Sequence, residues 1–201
     1  MGMELEFKLA VPNAALLEQI LFDPQIAEVR TGGYRMIQMG TVYYDTPDRR
    51  LSARRWTLRI RQENDILVAT IKTPATGRAR GEWDCRANTI EAAIPLLLEA
   101  GAPAELAQVL EGQRLIPLCA AQFTRRAAEI AFADGTVCEL CGDIGILMGG
   151  SKEENLCEVE VELKSGDAET AEAFASELMD RFGLSEEPRS KFARASALAS
   201  H

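Results

Sequence analysis

Glu4-Leu-Glu6-Phe-Lys8 opens the chain, and Glu158-Val-Glu160-Val-Glu162-Leu-Lys164 repeats the same alternation much later, with Arg59-Ile60-Arg61 between them. Alternate side chains of a β-strand share a face, so each string gathers its charges on one side and its apolar residues on the other. A solvated strand tolerates a charged face, and any single string of this kind is more often just that. Their recurrence on several strands, each backed by Leu, Phe, Val or Ile, points to two filled sides. One is expected to be a hydrocarbon core and the other a charged cavity.

The composition fits this picture. A chain of 201 residues with 47% hydrophobic and 26% charged residues can bury one substantial core, and it reads as a single domain over residues 1–201. The net charge of −9 argues against binding a nucleic-acid polymer, which needs excess Lys and Arg. The charge is also segregated. Residues 30–80 hold 11 of the 22 Lys and Arg against 4 acids, and residues 139–180 hold 12 acids against 2 bases. Strands of opposite sign are expected to meet in the fold.

No signal peptide and no membrane span are expected, because the opening alternates and no apolar run is long enough. The 5 cysteines (Cys85, Cys119, Cys138, Cys141, Cys157) form no disulfide framework, which fits a reducing cytoplasm. With a lone CxxC and the single histidine at His201, a zinc site is not expected, and histidine-based nucleophilic catalysis is excluded.

Strands are expected over residues 3–11, 34–45, 55–63, 66–73, 81–87, 119–132, 136–144 and 156–164. Helices are expected over 12–22, 89–113 with breaks at Gly101 and Pro103, 167–182 capped by Asp167 and Gly183, and 189–199. Pro12 serves as a helix opener, and Asp134-Gly135 marks a hairpin. Strands grouped in hairpins give an α+β class with an antiparallel sheet. Its two-sided character is best satisfied by an eight-stranded closed β-barrel (tunnel) with helices packed on the outside. Trp56 and Trp83 read as outer-face packing. Arg49-Arg50 and Arg54-Arg55 read as loop charge, and Glu153-Glu154, Glu186 and Glu187 as solvated.

Further charges fall at strand spacing: Lys72, Arg80 with Glu82, Arg125-Arg126, Glu139 with Asp143, and Lys191 with Arg194. Unpaired acids or bases inside a barrel would cost too much, so they must pair or be completed by a ligand and a metal. Carboxylates without histidine select a hard, oxygen-loving ion, Mg2+ or Mn2+, one or two in number. Clustered Arg and Lys select a polyanion, most plainly phosphates.

At these residues the chain resembles the CYTH family of triphosphate tunnel metalloenzymes. The resemblance rests on Glu4, Glu6 and Lys8 as ExExK, on Tyr43-Tyr-Asp-Thr-Pro-Asp48 and on Arg59-Ile-Arg61. It continues through Thr70-Ile-Lys72, Arg80-Gly-Glu82, Glu139 to Gly145, Glu158-Val-Glu160-Val-Glu162 and Ser190-Lys-Phe-Ala-Arg194. It is strongest toward bacterial inorganic triphosphatases. It implies a tunnel in which Glu4, Glu6, Glu158 and Glu160, with Glu162, hold metal, and in which Glu82, Glu139 and Asp143 orient cations or water. Lys8, Arg59, Arg61, Lys72, Arg80, Lys191 and Arg194 would hold phosphate, and Glu4, Glu6, Lys8, Lys72, Glu158 and Glu160 would carry the chemistry. Arg125 and Arg126 compete for one inward place. The count back from Asp134-Gly135 favours Arg126, strand parity with Ile130 and Phe132 outward favours Arg125, and a β-bulge would reconcile them.

The implied activity is metal-dependent hydrolysis of tripolyphosphate to pyrophosphate and phosphate, with a small-molecule polyphosphate as partner and a homodimer allowed. The alternatives are a class IV-type adenylyl cyclase, a thiamine or nucleotide triphosphatase, and a non-catalytic polyphosphate-binding module.

Overall fold

The structure, a computed structural model, describes residues 5–74 and 81–199. Nine strands form one antiparallel sheet. They are β1 (Leu5–Ala10), β2 (Arg30–Asp45), β3 (Thr57–Glu63), β4 (Ile66–Thr73), β5 (Gly81–Arg86), β6 (Ile116–Ala131), β7 (Val137–Gly149), β8 (Lys152–Ser165) and β9 (Ser185–Glu186). Their order is β5-β4-β3-β2-β6-β7-β8-β1-β9. The α+β class and the antiparallel sheet are as expected. The pairing is not a ring, however, since among the described residues nothing joins β5 to β1 or β9. One short edge strand, β9, had no alternating signal to announce it.

Among the described residues seven helices accompany the sheet: α1 (Ala14–Leu21), α2 (Pro24–Val29), α3 (Arg50–Ala53), α4 (Ile90–Glu99), α5 (Glu105–Leu110), α6 (Ala168–Phe182) and α7 (Lys191–Leu198). The cap of α1 is Asn13, whose Oδ1 accepts from the Leu16 amide at 2.9 Å, so the opener is one residue past Pro12. Asp167 and Gly183 cap α6 as its sequence announces, with Gly183 at φ 64°. Helices α2 and α3 are too short for a periodic signal. The Asp45-Thr-Pro-Asp turn has a structural role: buried Asp45 accepts from the Leu51 amide at 2.9 Å and the Ser52 amide at 3.0 Å, anchoring α3.

Two apolar clusters lie on the outer side of the sheet. Leu9, Val159, Val161 and Leu140 pack under α1, α2 and α6, where they meet Leu17, Leu21, Ile26 and Leu178. Leu58, Ala69 and Ile71 pack with Leu97, Leu106, Trp56 and Trp83, so both tryptophans are packing residues as expected. Each such buried side chain contributes about 1.5–3 kcal/mol.

A third cluster is on the opposite, inner side. Met39, Tyr43, Phe123, Leu147 and Leu156 pack against Phe192, Ala195 and Leu198 of α7. A Cβ on Gly149 would come within 2.2 Å of the Ala195 carbonyl oxygen, so glycine is what lets this helix lie flat on β7. Helix α7 therefore occupies the inner side, which sequence periodicity alone does not disclose. No helix among the described residues is long and apolar enough to cross a membrane.

Candidate active site

Strand register decides which charges share a face. Directly paired residues of neighbouring strands point to the same side. From Lys8 the pairing runs to Glu160, and from Glu6 to Glu162. It continues from Glu158 to Asp143 and from Glu162 to Glu139, and from Asp143 to Arg125. On the other flank Tyr43 pairs with Arg59 and Thr41 with Arg61. Arg59 pairs with Thr70, and Lys72 with Glu82. Thr41 and Tyr43 lie opposite Ala121 and Cys119, which have the parity of Arg125, so one face carries the whole set.

Arg126 is a correction. Its register partners are Met36 and Gly142, on the opposite face. There its guanidinium pairs with Glu18 of α1. A Cβ on Gly142 would meet the Leu21 Cδ1 atom of α1 at 2.7 Å, so that face is the outer one. No register shift separates Arg125 from the hairpin across β6 and β7, so parity alone decides in favour of Arg125. Glu4 and Arg80 lie outside the described residues.

The acidic bank is built on β7, β8 and β1. Asp143 and Glu158 are 0% and 1% exposed, and oxygens of Asp143, Glu158 and Glu160 lie within 4.8 Å of one another. Protein cations neutralise this trio. The Lys191 Nζ lies 2.7 Å from both Asp143 Oδ2 and Glu160 Oε1 and also pairs with Glu158. Arg125 holds Asp143 in a two-pronged contact, Nε to Oδ1 at 2.8 Å and Nη2 to Oδ2 at 2.7 Å, and also reaches Glu160. Arg194 donates to Glu158 at 2.8 Å and to Glu154 at 2.7 and 2.9 Å. Glu154 is thus a member of the site that its solvated-looking sequence context concealed.

The shifts follow the pairing. Burial works to raise the Glu160 carboxyl, but Lys191 and Arg125 outweigh it and hold the group well below the usual range. Burial raises Glu158, against the pull of Lys191. Glu6 is pushed up to about 7 by burial and then by the Glu160 charge, its nearby Lys8 ammonium being 3.9 Å away. Glu6 is the acid in this bank left short of cation. Glu162 has Lys164 at 2.7 Å, and Glu139 has Arg35 at 3.5 Å and Lys164 at 3.8 Å.

The basic bank has the opposite deficit. Glu82 lies 2.9 Å from Lys72 and 4.0 Å from Arg59, and Arg61 pairs with Glu63. Even so, among the described residues the buried Nε atoms of Arg59 and Arg61 have no hydrogen-bond partner. Burial lowers the Arg61 pKa, and the Arg59 and Arg125 charges lower it further. Buried guanidinium donors left open in this way are ready-made anion ligands.

A family profile described as the CYTH domain matches residues 2–196. An inorganic triphosphatase of Haemophilus influenzae is 31% identical over 177 residues, covering 84% of this chain and 47% of that protein. The chain thus spans about half the length of this curated relative. Among solved structures, an adenylate cyclase candidate from Bacillus halodurans shares the fold at TM-score 0.60, with 21% identity and 96% of both chains covered. A Hippeastrum adenylyl cyclase candidate, reported with a dominant triphosphatase activity, superposes at TM-score 0.56 with 17% identity, covering 97% of this chain and 96% of that one.

Proposed function

The chain belongs to the CYTH domain family, and from that premise we propose that it hydrolyses a phosphoanhydride bond of a triphosphate, foremost inorganic tripolyphosphate to pyrophosphate and phosphate. The observation that carries this reading is the pair of buried Nε donors on Arg59 and Arg61, without partners among the described residues, on the same face of the sheet as an acidic bank. Anion ligands alone would serve a binder. Acids alone would serve a metal store. Both in one chamber serve metal-assisted phosphoryl transfer.

A divalent ion fits the donor set. The acids are carboxylates without histidine, which suits Mg2+ or Mn2+, and Glu6, paired with Lys8 at the long distance of 3.9 Å, stays raised by burial and by the Glu160 charge. Glu6, Glu158 and Glu160 would hold the ion, with Glu4 as the matching residue outside the described segment. When bound, such an ion neutralises phosphoryl oxygens and acidifies a water.

The chain's own residues do the rest. Arg59, Arg61 and Lys72 bind and orient the phosphoryl oxygens and stabilise the charge that grows on them. Arg125, Lys191 and Arg194 fix the carboxylates and extend the cationic lining. Glu82, Glu139, Asp143 and Glu162 keep the cations aligned. In this reading residues 1–201 make one domain, and the charged face of the sheet is a tunnel wall.

The test is phosphate release from tripolyphosphate, ATP and thiamine triphosphate with Mg2+ or Mn2+, with cyclic AMP measured in the ATP arm. Fastest turnover on tripolyphosphate is expected. Tight tripolyphosphate binding with no phosphate released under either metal would replace the enzyme with a binding module.

A further inference from the structure

Lys191 stands where a divalent cation would have to go. The oxygens of Asp143, Glu158 and Glu160 lie within 4.8 Å of one another, and one ammonium bonds all three acids. The Lys191 Nζ is 2.7 Å from Asp143 Oδ2, 2.7 Å from Glu160 Oε1 and paired with Glu158 Oε1. Two of these acids, Glu158 and Glu160, are those that would hold the ion. With Arg125 on Asp143 and Glu160, and Arg194 on Glu158, three cations already face three carboxylates. A doubly charged ion added to that balanced set would meet like charge at close range in a buried site.

Of the three cations only Lys191 is built to leave. Arg125 grips Asp143 as a rigid fork, Nε to Oδ1 at 2.8 Å and Nη2 to Oδ2 at 2.7 Å. Arg194 spans Glu158 and Glu154. Lysine is a point charge on a flexible stem. The Lys191 backbone is pinned independently of its charge. The Ser190 Oγ accepts from the Ala193 amide at 3.1 Å, and the Phe192 ring lies 5.0 Å from that of Tyr43. The side chain is therefore free to swing while α7 stays on the sheet. Burial raises the Tyr43 hydroxyl pKa, and the Arg59 and Lys191 charges pull it back. The ammonium thus stands between the acidic bank and Arg59.

We propose that Lys191 is the resting occupant of the metal position, and that it swings toward Arg59 when a divalent cation takes Glu158 and Glu160. It is a positioning residue with two posts. In the metal-free protein it holds the carboxylates together; once displaced it is a free cation in the chamber. The second post rests on the triphosphate reading, in which the released ammonium meets a phosphoryl oxygen. The first does not. The two posts couple the ligands: Lys191 opposes the metal in the empty protein, and a polyanion that draws it away strengthens metal binding.

The test needs no turnover. In calorimetric titration of the substrate-free protein with Mn2+, Lys191→Met should bind the ion about 5–150-fold more tightly than the wild type, the range of a typical coupling between sites. Lys191→Arg keeps the charge and should bind as weakly as the wild type. Adding Glu160→Gln to Lys191→Met should abolish the tight site. In the wild type, an amine-acylating reagent read by mass spectrometry should modify Lys191 slowly without metal and faster with saturating Mn2+. That measurement stands even where Lys191→Met fails to fold, as judged by circular dichroism. Unchanged or weaker Mn2+ binding by folded Lys191→Met overturns the proposal. So does tight binding that survives Glu160→Gln, or acylation of Lys191 that Mn2+ leaves unchanged. Absence of phosphate release from tripolyphosphate beside the expected metal results would overturn the triphosphate reading and leave the first post standing.

Discussion

The Lys191 Nζ lies 2.7 Å from Asp143 Oδ2, which places an ammonium from α7 at the centre of three buried carboxylates. The arrangement ties the helix to the sheet by charge as well as by the Phe192–Tyr43 ring contact at 5.0 Å. Lys191→Met should therefore leave uncompensated buried charge and cost about 3–5 kcal/mol. Melting in metal-free buffer should fall by roughly 10 °C. Added Mn2+ should recover part of that loss, because it offers the acids another cation. An unchanged melting point would mean that the ammonium does not neutralise them.

Arg59→Ala and Arg61→Ala should separate function from folding. Each removes a buried Nε donor without a partner among the described residues, and the ion pair it breaks, with Glu82 or Glu63, is partly exposed, so melting should stay close to wild type. Phosphate release should drop by about 10²–10³-fold, the loss typical of one removed transition-state donor. Steady-state kinetics beside a thermal melt checks both halves.

Glu6 gives a pH signature. Its carboxyl is raised from 4.5 to about 7, so the fold prefers it protonated. The stability from this preference is complete below about 4.5 and disappears as pH rises through about 7. Metal-free Glu6→Gln should thus match the wild type at low pH and melt higher at pH above about 7, with the gap opening across that window. A gap that closes as pH rises would refute the assignment. The same variant should lose Mg2+- or Mn2+-dependent phosphate release.

The neighbouring arginines should part company. Arg126→Ala breaks a partly exposed pair with Glu18 and should cost under about 1 kcal/mol, with activity retained. Arg125→Ala strips cations from Asp143 and Glu160 and should destabilise the chain by about 3–5 kcal/mol. Equal effects of the two would contradict the register of β6.

Much of this was legible from alternation. The parity of Glu6 and Lys8, of Arg59 and Arg61, and of Glu158, Glu160 and Glu162 predicts a common face, and the register puts all of them there. For the inward arginine, parity and the count back from Asp134-Gly135 disagreed, and the register sides with parity and Arg125. Sequence falls short where long-range packing decides. Nothing in Lys191–Leu198 says that its apolar side meets the inner face of the sheet; that depends on Gly149 yielding room. Glu154 looked solvated because its partner Arg194 is distant in sequence. Pairing between the sheet's two edges is likewise a property of overall curl, which alternation does not encode.

Among the described residues strand β1 pairs only with β8 and β9, so its first sheet neighbour is a segment made much later in the chain. Until that segment has been synthesised, the Glu6 carboxylate stays hydrated and the outer Leu9 has no wall to lean on. Contacts so far apart along the polypeptide make the search slow. On the ribosome, β1 should wait unpaired for its late strand to emerge.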